Sequence, residues 1–142
     1  MQGGSFYDAD LPLSKLLLDE DNFRIEEVDE QRSAIFAILR QQREGEKIYN
    51  LARHIVEKGS LAPGERLLVI SNDKEDIVDD SYIVMEGNRR ITALKLLESP
   101  QIIQSNFPML FSRFVSLKDR LQEGALENIP CVIMPDRESA LE

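Results

Sequence analysis

The chain has 142 residues, 26 of them acidic against 17 basic, for a formal net charge of −9 at pH 7. That length suits one domain with its own core, and 42% apolar with 30% charged residues argues against global disorder. The acidity, with a pI near 4.7, disfavours broad sequence-independent contact with nucleic acid, which needs an extended basic surface. Cys131 is the only cysteine and His54 the only histidine, which excludes an intrachain disulfide and a Cys/His zinc site within the chain. No run approaches the roughly 18 to 20 apolar residues of a membrane span, and no basic-then-apolar leader opens the chain. A cytoplasmic protein without membrane contact is expected.

In chain order, residues 1–10 carry no pattern and are expected to lie disordered outside the fold. A single domain is expected over 11–135, with 136–142 a tail or the point where a longer protein is cut. Leu11-Pro12-Leu13 predicts a short edge strand, since proline is confined to edges. Ser14 should cap a turn of helix through Leu18. Asp21-Asn22-Phe23-Arg24 reads as loop. From Asp29 to Glu44, Ile35, Ile38 and Leu39 mark one face of a helix, with Gly45 its stop. Ile48, Leu51, Ala52 and Ile55 give a second helix at the i, i+3, i+4, i+7 spacing, ended by Gly59. Strands are expected at Leu67 to Ser71, Tyr82 to Met85 and Ile129 to Met134. The polar stretch from Asn72 to Ser81 suits an antiparallel connection, and Asp79 and Asp80 read as a solvated pair rather than a metal site. Leu110, Phe114, Leu117 and Leu121 mark a further helix whose Met109 and Phe111 are expected to pack. The fold class is α+β, a mixed sheet of about three to four strands with about four to five helices.

One segment, Tyr82 to Leu97, carries chemistry. An apolar strand meets Glu86-Gly87-Asn88 and then Arg89 and Arg90, which fall in the first turn of a helix. Cations there face the positive end of the helix dipole. Yet the first N–H groups of a helix lack internal acceptors, so a strand, a glycine turn and a helix start together suit an anion. Gly87 lets a ligand approach the backbone, Asn88 can cap the helix, and the guanidinium forks of Arg89 and Arg90 match phosphate oxygens. The alternative is internal pairing of each arginine, with Glu86 close by. Surface pairs contribute only about 0 to 1 kcal/mol and would explain tolerance of the arginines, not their placement. The spacing lacks the lysine of a Walker A loop and is not a dinucleotide fingerprint.

Four pieces in order resemble the N-terminal domain of ParB-type partition proteins in the ParB/sulfiredoxin superfamily: Leu11 to Leu16 with Asp21-Asn22-Phe23-Arg24, Leu51 to Pro63, Tyr82 to Ala93, and Ile129 to Met134. The resemblance implies a small ParB/sulfiredoxin-like domain that binds a nucleoside triphosphate, CTP with Mg2+ in the partition proteins. By position, Gly87, Asn88, Arg89 and Arg90 would hold the phosphates. Gly59, Ser60 and Leu61 would line the opposite wall near base and sugar, and Arg24 falls on the arginine of the family's opening loop. Asn88 stands where that family has glutamate, which leaves Glu86 as the candidate catalytic carboxylate for at most slow NTP or nucleic-acid hydrolysis. No protein metal site is expected. The family's later helix and helix-turn-helix have no counterpart here, so DNA contact would come only through other regions of a larger protein. A homodimer is compatible with the resemblance.

Sulfiredoxin chemistry needs a nucleophilic cysteine where this chain has Asn88. Cys131 reads as a core residue, and His54 as a solvent-facing or helix-terminal one without a nucleophile to serve. The first functional expectation is a nucleotide-binding regulatory domain of a larger, DNA-related protein. The alternatives are a ParB-like nuclease or DNA-processing module, and a protein-interaction domain whose arginines take an acidic partner.

Overall fold

The computed structural model describes residues 6–18, 30–59, 61, 63–71 and 81–135. Five strands form one mixed sheet: β1 (Tyr7–Leu11), β2 (Leu16–Leu18), β3 (Leu67–Ser71), β4 (Tyr82–Glu86) and β5 (Ile129–Ile133). Their spatial order is β1-β5-β3-β4-β2. β1 runs antiparallel to β5, β5 parallel to β3, β3 antiparallel to β4, and β4 parallel to β2. The three strands expected from their apolar runs are thus the three inner ones. The antiparallel pairing expected of β3 and β4 is present.

The two outer strands depart from expectation. Tyr7, Ala9 and Leu11 alternate with Asp8 and Asp10, and this period of two pairs residues 7–11 with β5. The ordered domain therefore begins before residue 11. Leu16 to Leu18 is a strand, not a helical turn, with Leu16 and Leu18 buried; three consecutive leucines have no polar face by which periodicity could tell the two apart. Ser14 caps nothing, because the short 3-10 turn before β2 begins after Pro12 and has no side-chain cap bond.

Four α-helices complete the α+β fold: α1 (Glu30–Leu39), α2 (Glu44–Lys58), α3 (Asn88–Glu98) and α4 (Pro108–Asp119). The break between α1 and α2 comes before Gly45. Arg43 takes a left-handed conformation, φ 66°, and Gly45 lies within the first turn of α2. Gly59 ends α2 as expected, at φ 88°, its N–H donating to Ile55 O at 2.7 Å. From Ile91 onward α3 is buried on most sides, through Ile91, Thr92, Ala93, Leu94, Leu96 and Leu97, so it occupies the centre of the domain. From its last turns Lys95 donates to Leu13 O at 3.1 Å. α4 buries Phe114 and Leu117. Phe111 packs on the core, but Met109 is 83% exposed and is not part of it.

Two side-chain devices tie the helices down. Arg113 of α4 lies 3.7 Å over the ring of Tyr49 in α2 and donates to Glu46 at 3.1 Å. Gln31 of α1 reaches the outer edge of β2, where its Oε1 accepts from Leu18 N at 2.9 Å and its Nε2 donates to Leu18 O at 3.1 Å. Cys131 is fully buried in β5, and desolvation pushes its thiol up to about 12. It is the core residue that the sequence predicts.

A candidate anion site at the start of α3

Gly87 alone joins β4 to α3. Its backbone sits at φ 114°, ψ 32°, and a Cβ there would lie 2.5 Å from Leu67 Cδ2. Glycine is therefore required twice, by the positive φ and by the leucine beneath it. The β3–β4 register shifts between Leu68 and Val69, beside the Leu68–Glu86 pair, so the irregularity of the sheet coincides with the turn.

Gly87, not Asn88, is the N-cap of α3, and its carbonyl accepts the first helical bond from Ile91 N at 2.8 Å. Asn88 is the first helical residue and its side chain caps nothing, which corrects the sequence expectation. Among the described residues, its Oδ1 and the Thr92 Oγ1 one turn later are buried without a hydrogen-bond partner.

The two arginines separate. Arg89 Nε donates to Glu44 Oε1 at 2.6 Å and its Nη2 to Oε2 at 2.9 Å, a bidentate, charge-assisted pair. The carboxylate comes from the first turn of α2, is 6% exposed, and also meets Lys47 Nζ at 3.5 Å. The hydrogen bond from Arg89 holds the Glu44 carboxyl below its ordinary 4.5 against the opposing effect of burial. Glu44 thus lies at the N-termini of two helices at once, where negative charge is favoured. It answers why Arg89 is tolerated in the first turn of α3.

Arg90 has no ion pair among the described residues. It stands on a ridge with Glu86 between two clefts. One, of about 500 Å³, is lined by Gly87 to Arg90 on one side and by Ile38, Gln41, Glu44 and Leu51 on the other. The second, of about 460 Å³, includes Arg66, Leu68 and Val132. The guanidinium of Arg66 lies 3.8 Å from Asp8.

Glu86, Gly87, Asn88, Arg89 and Arg90 thus share one cleft. Gly59 and Leu61 do not line it: a Cβ on Gly59 would face Gln122 at 3.8 Å, and Leu61 is 5% exposed within the core. Arg24, Ser60, Asp79 and Asp80 lie outside the described residues. His54 is exposed and lines a separate surface hollow with Asn50 and Arg53. Among the described residues no group of three or more His, Cys, Asp or Glu side chains converges on a point where a metal would sit. No described helix is long and apolar enough to cross a membrane.

Glu44 is the site residue that sequence reasoning missed. It reads as the end of one helix and is the start of the next, and nothing in linear spacing links positions 44 and 89. The signal that was available is the excess of carboxylates, which made an internal partner for an arginine expected, although Glu86 was the residue named.

No family model matches the chain, no curated protein matches it, and no solved structure matches it.

Proposed function

We propose that this chain is a nucleotide-binding regulatory domain of the ParB/sulfiredoxin type, in which the turn from Glu86 to Arg90 holds the phosphates of a nucleoside triphosphate. The observation that carries the reading is Arg90: a guanidinium without an ion pair among the described residues, placed where the helix dipole already disfavours a cation. A phosphate at the cleft would reverse that sign, accepting from the free N–H groups of the first turn and from the Arg90 fork. Magnesium fits only as a passenger of the phosphates, because Glu44 and Glu86 are the carboxylates of the cleft and Glu44 is engaged with Arg89. Bound magnesium would offset phosphate charge. In this reading Glu86, exposed on the rim, is the carboxylate for any slow hydrolysis.

Calorimetry and thermal shift against CTP, ATP and GTP with magnesium test the proposal. At 100 times its Kd a ligand should add about 2.7 kcal/mol, or about 5 to 10 °C in Tm, and Arg90→Gln should abolish the shift. No shift from any nucleotide up to millimolar concentration would overturn the reading.

The Glu44–Arg89 contact favours a second reading, an interaction domain. A site that already seats one carboxylate would take an acidic side chain of a partner protein at Arg90. Binding of an acidic peptide, lost in Arg90→Gln, with no response to nucleotides would select it.

A further inference from the structure

We infer that Glu44 is a built-in competitor for the anion site, so that a ligand must displace it to be held by the Nε and Nη2 edge of Arg89 together with Arg90. The inference rests on the phosphate-binding reading above and adds the regulation of that site. Its grounds are geometric. The Glu44 carboxylate takes Nε and Nη2 of Arg89 with both oxygens, at 2.6 and 2.9 Å. That is the fork-to-fork geometry a phosphate would use on the same guanidinium. It lies at the start of α3 and lines the same cleft as Gly87 and Arg90. Glu44 occupies the Nε and Nη2 edge of Arg89, and a phosphate taking that same edge would bring like charges into contact, so it must displace the carboxylate.

Two consequences follow from where Glu44 is anchored. The first concerns the ligand class. Monoanions have no charge advantage over the resident carboxylate, whereas a di- or polyanion such as a triphosphate does, so the competitor sets a charge threshold for entry. The second concerns transmission. Glu44 directly follows Arg43, the left-handed residue at the end of the four-residue connection between α1 and α2, so its release acts on that connection. Displacement at Arg89 thereby reaches α1, whose Ile38 forms part of the opposite wall.

The test uses inorganic tripolyphosphate, which carries the charge without a base, with the whole 142-residue chain. Glu44→Gln keeps the shape and one acceptor but removes the charge. A full charge within about 4 to 6 Å shifts the ionisation of a carboxylate by about one to three log units when the charges are opposite, and a like charge acts in the reverse direction. The variant should therefore bind tripolyphosphate at least about tenfold more tightly than the wild type by calorimetry, while monoanionic acetate should bind neither. A second readout needs no variant: on adding tripolyphosphate to the wild type, amide exchange at Gly45 to Ile48 should accelerate as the first turn of α2 loses its tie to α3. Wild-type binding with equal or weaker affinity in Glu44→Gln overturns this inference alone, as does unchanged or slower exchange in that turn. Binding by neither chain overturns the phosphate site itself, and this inference with it.

Discussion

Replacing Gly87 with alanine places a methyl group where the structure has room for none. Two costs add. The backbone at φ 114° lies beyond what L-residues adopt, for about 1 to 2 kcal/mol. The new Cβ would meet Leu67 Cδ2 at 2.5 Å, and Leu67 is fully buried, so relief requires repacking at about 1 to 3 kcal/mol. Restriction of the unfolded chain returns about 0.4 to 1 kcal/mol. The net loss is about 1 to 5 kcal/mol, or about 2 to 20 °C in Tm, read by urea titration and calorimetry. Leu67→Val removes both δ-methyls at a cost of about 1 kcal/mol. In that background Gly87→Ala should cost only its backbone share, a coupling equal to the steric share of about 1 to 3 kcal/mol. A Gly87→Ala chain within about 0.5 kcal/mol of wild type would refute the account of the turn; an unchanged cost in the Leu67→Val background would refute its steric half.

Three further outcomes are expected. Thr92→Val replaces a buried hydroxyl, unpartnered among the described residues, by a methyl of similar size, and should stabilise by about 1 kcal/mol; a loss of that size in denaturant titration would mean the hydroxyl has a partner after all. The depressed Glu44 carboxyl means the native state binds fewer protons than the unfolded one below pH 4.5. Its contribution is therefore complete above that pH and lost as pH falls through the lower native value, so wild-type Tm should fall more steeply than that of Glu44→Gln between about pH 5 and 3; parallel curves would contradict this. With its thiol pushed up to about 12, Cys131 should stay unmodified by a thiol reagent at pH 8 in the native chain and react fully in urea. Rapid native labelling would show that β5 opens.

The inner sheet and the main helices were legible because their signals are local. An apolar run bounded by turn residues marked β3, β4 and β5, and the i, i+4, i+7 spacing of Ile48, Ala52 and Ile55 marked α2. The edges were harder for a physical reason. β1 is a strand chiefly because β5 lies beside it, and its alternation of Tyr7, Ala9 and Leu11 with aspartates is short. The leucines of β2 suit a strand or a helix equally until β4 selects. The boundary between α1 and α2 went to Gly45 on propensity, whereas the chain breaks at Arg43 in a conformation that arginine rarely takes. At the site, the turn around Gly87 was visible from residue types alone. The division of labour between Arg89 and Arg90 was not, because it depends on a carboxylate 45 positions away in sequence.

The amide of Gln31 closes on both polar atoms of Leu18 as a neighbouring strand would. One end of the sheet is therefore sealed by a side chain, whereas β1 at the opposite end is a five-residue ribbon carrying two aspartates. The seal belongs to α1, so it depends on the place of that helix. Should α1 lift, Leu18 would present an unmatched donor and acceptor to the surroundings, and an extended segment of another molecule would find a template there. At the β2 end, a single glutamine thus occupies the backbone positions that an added strand would need.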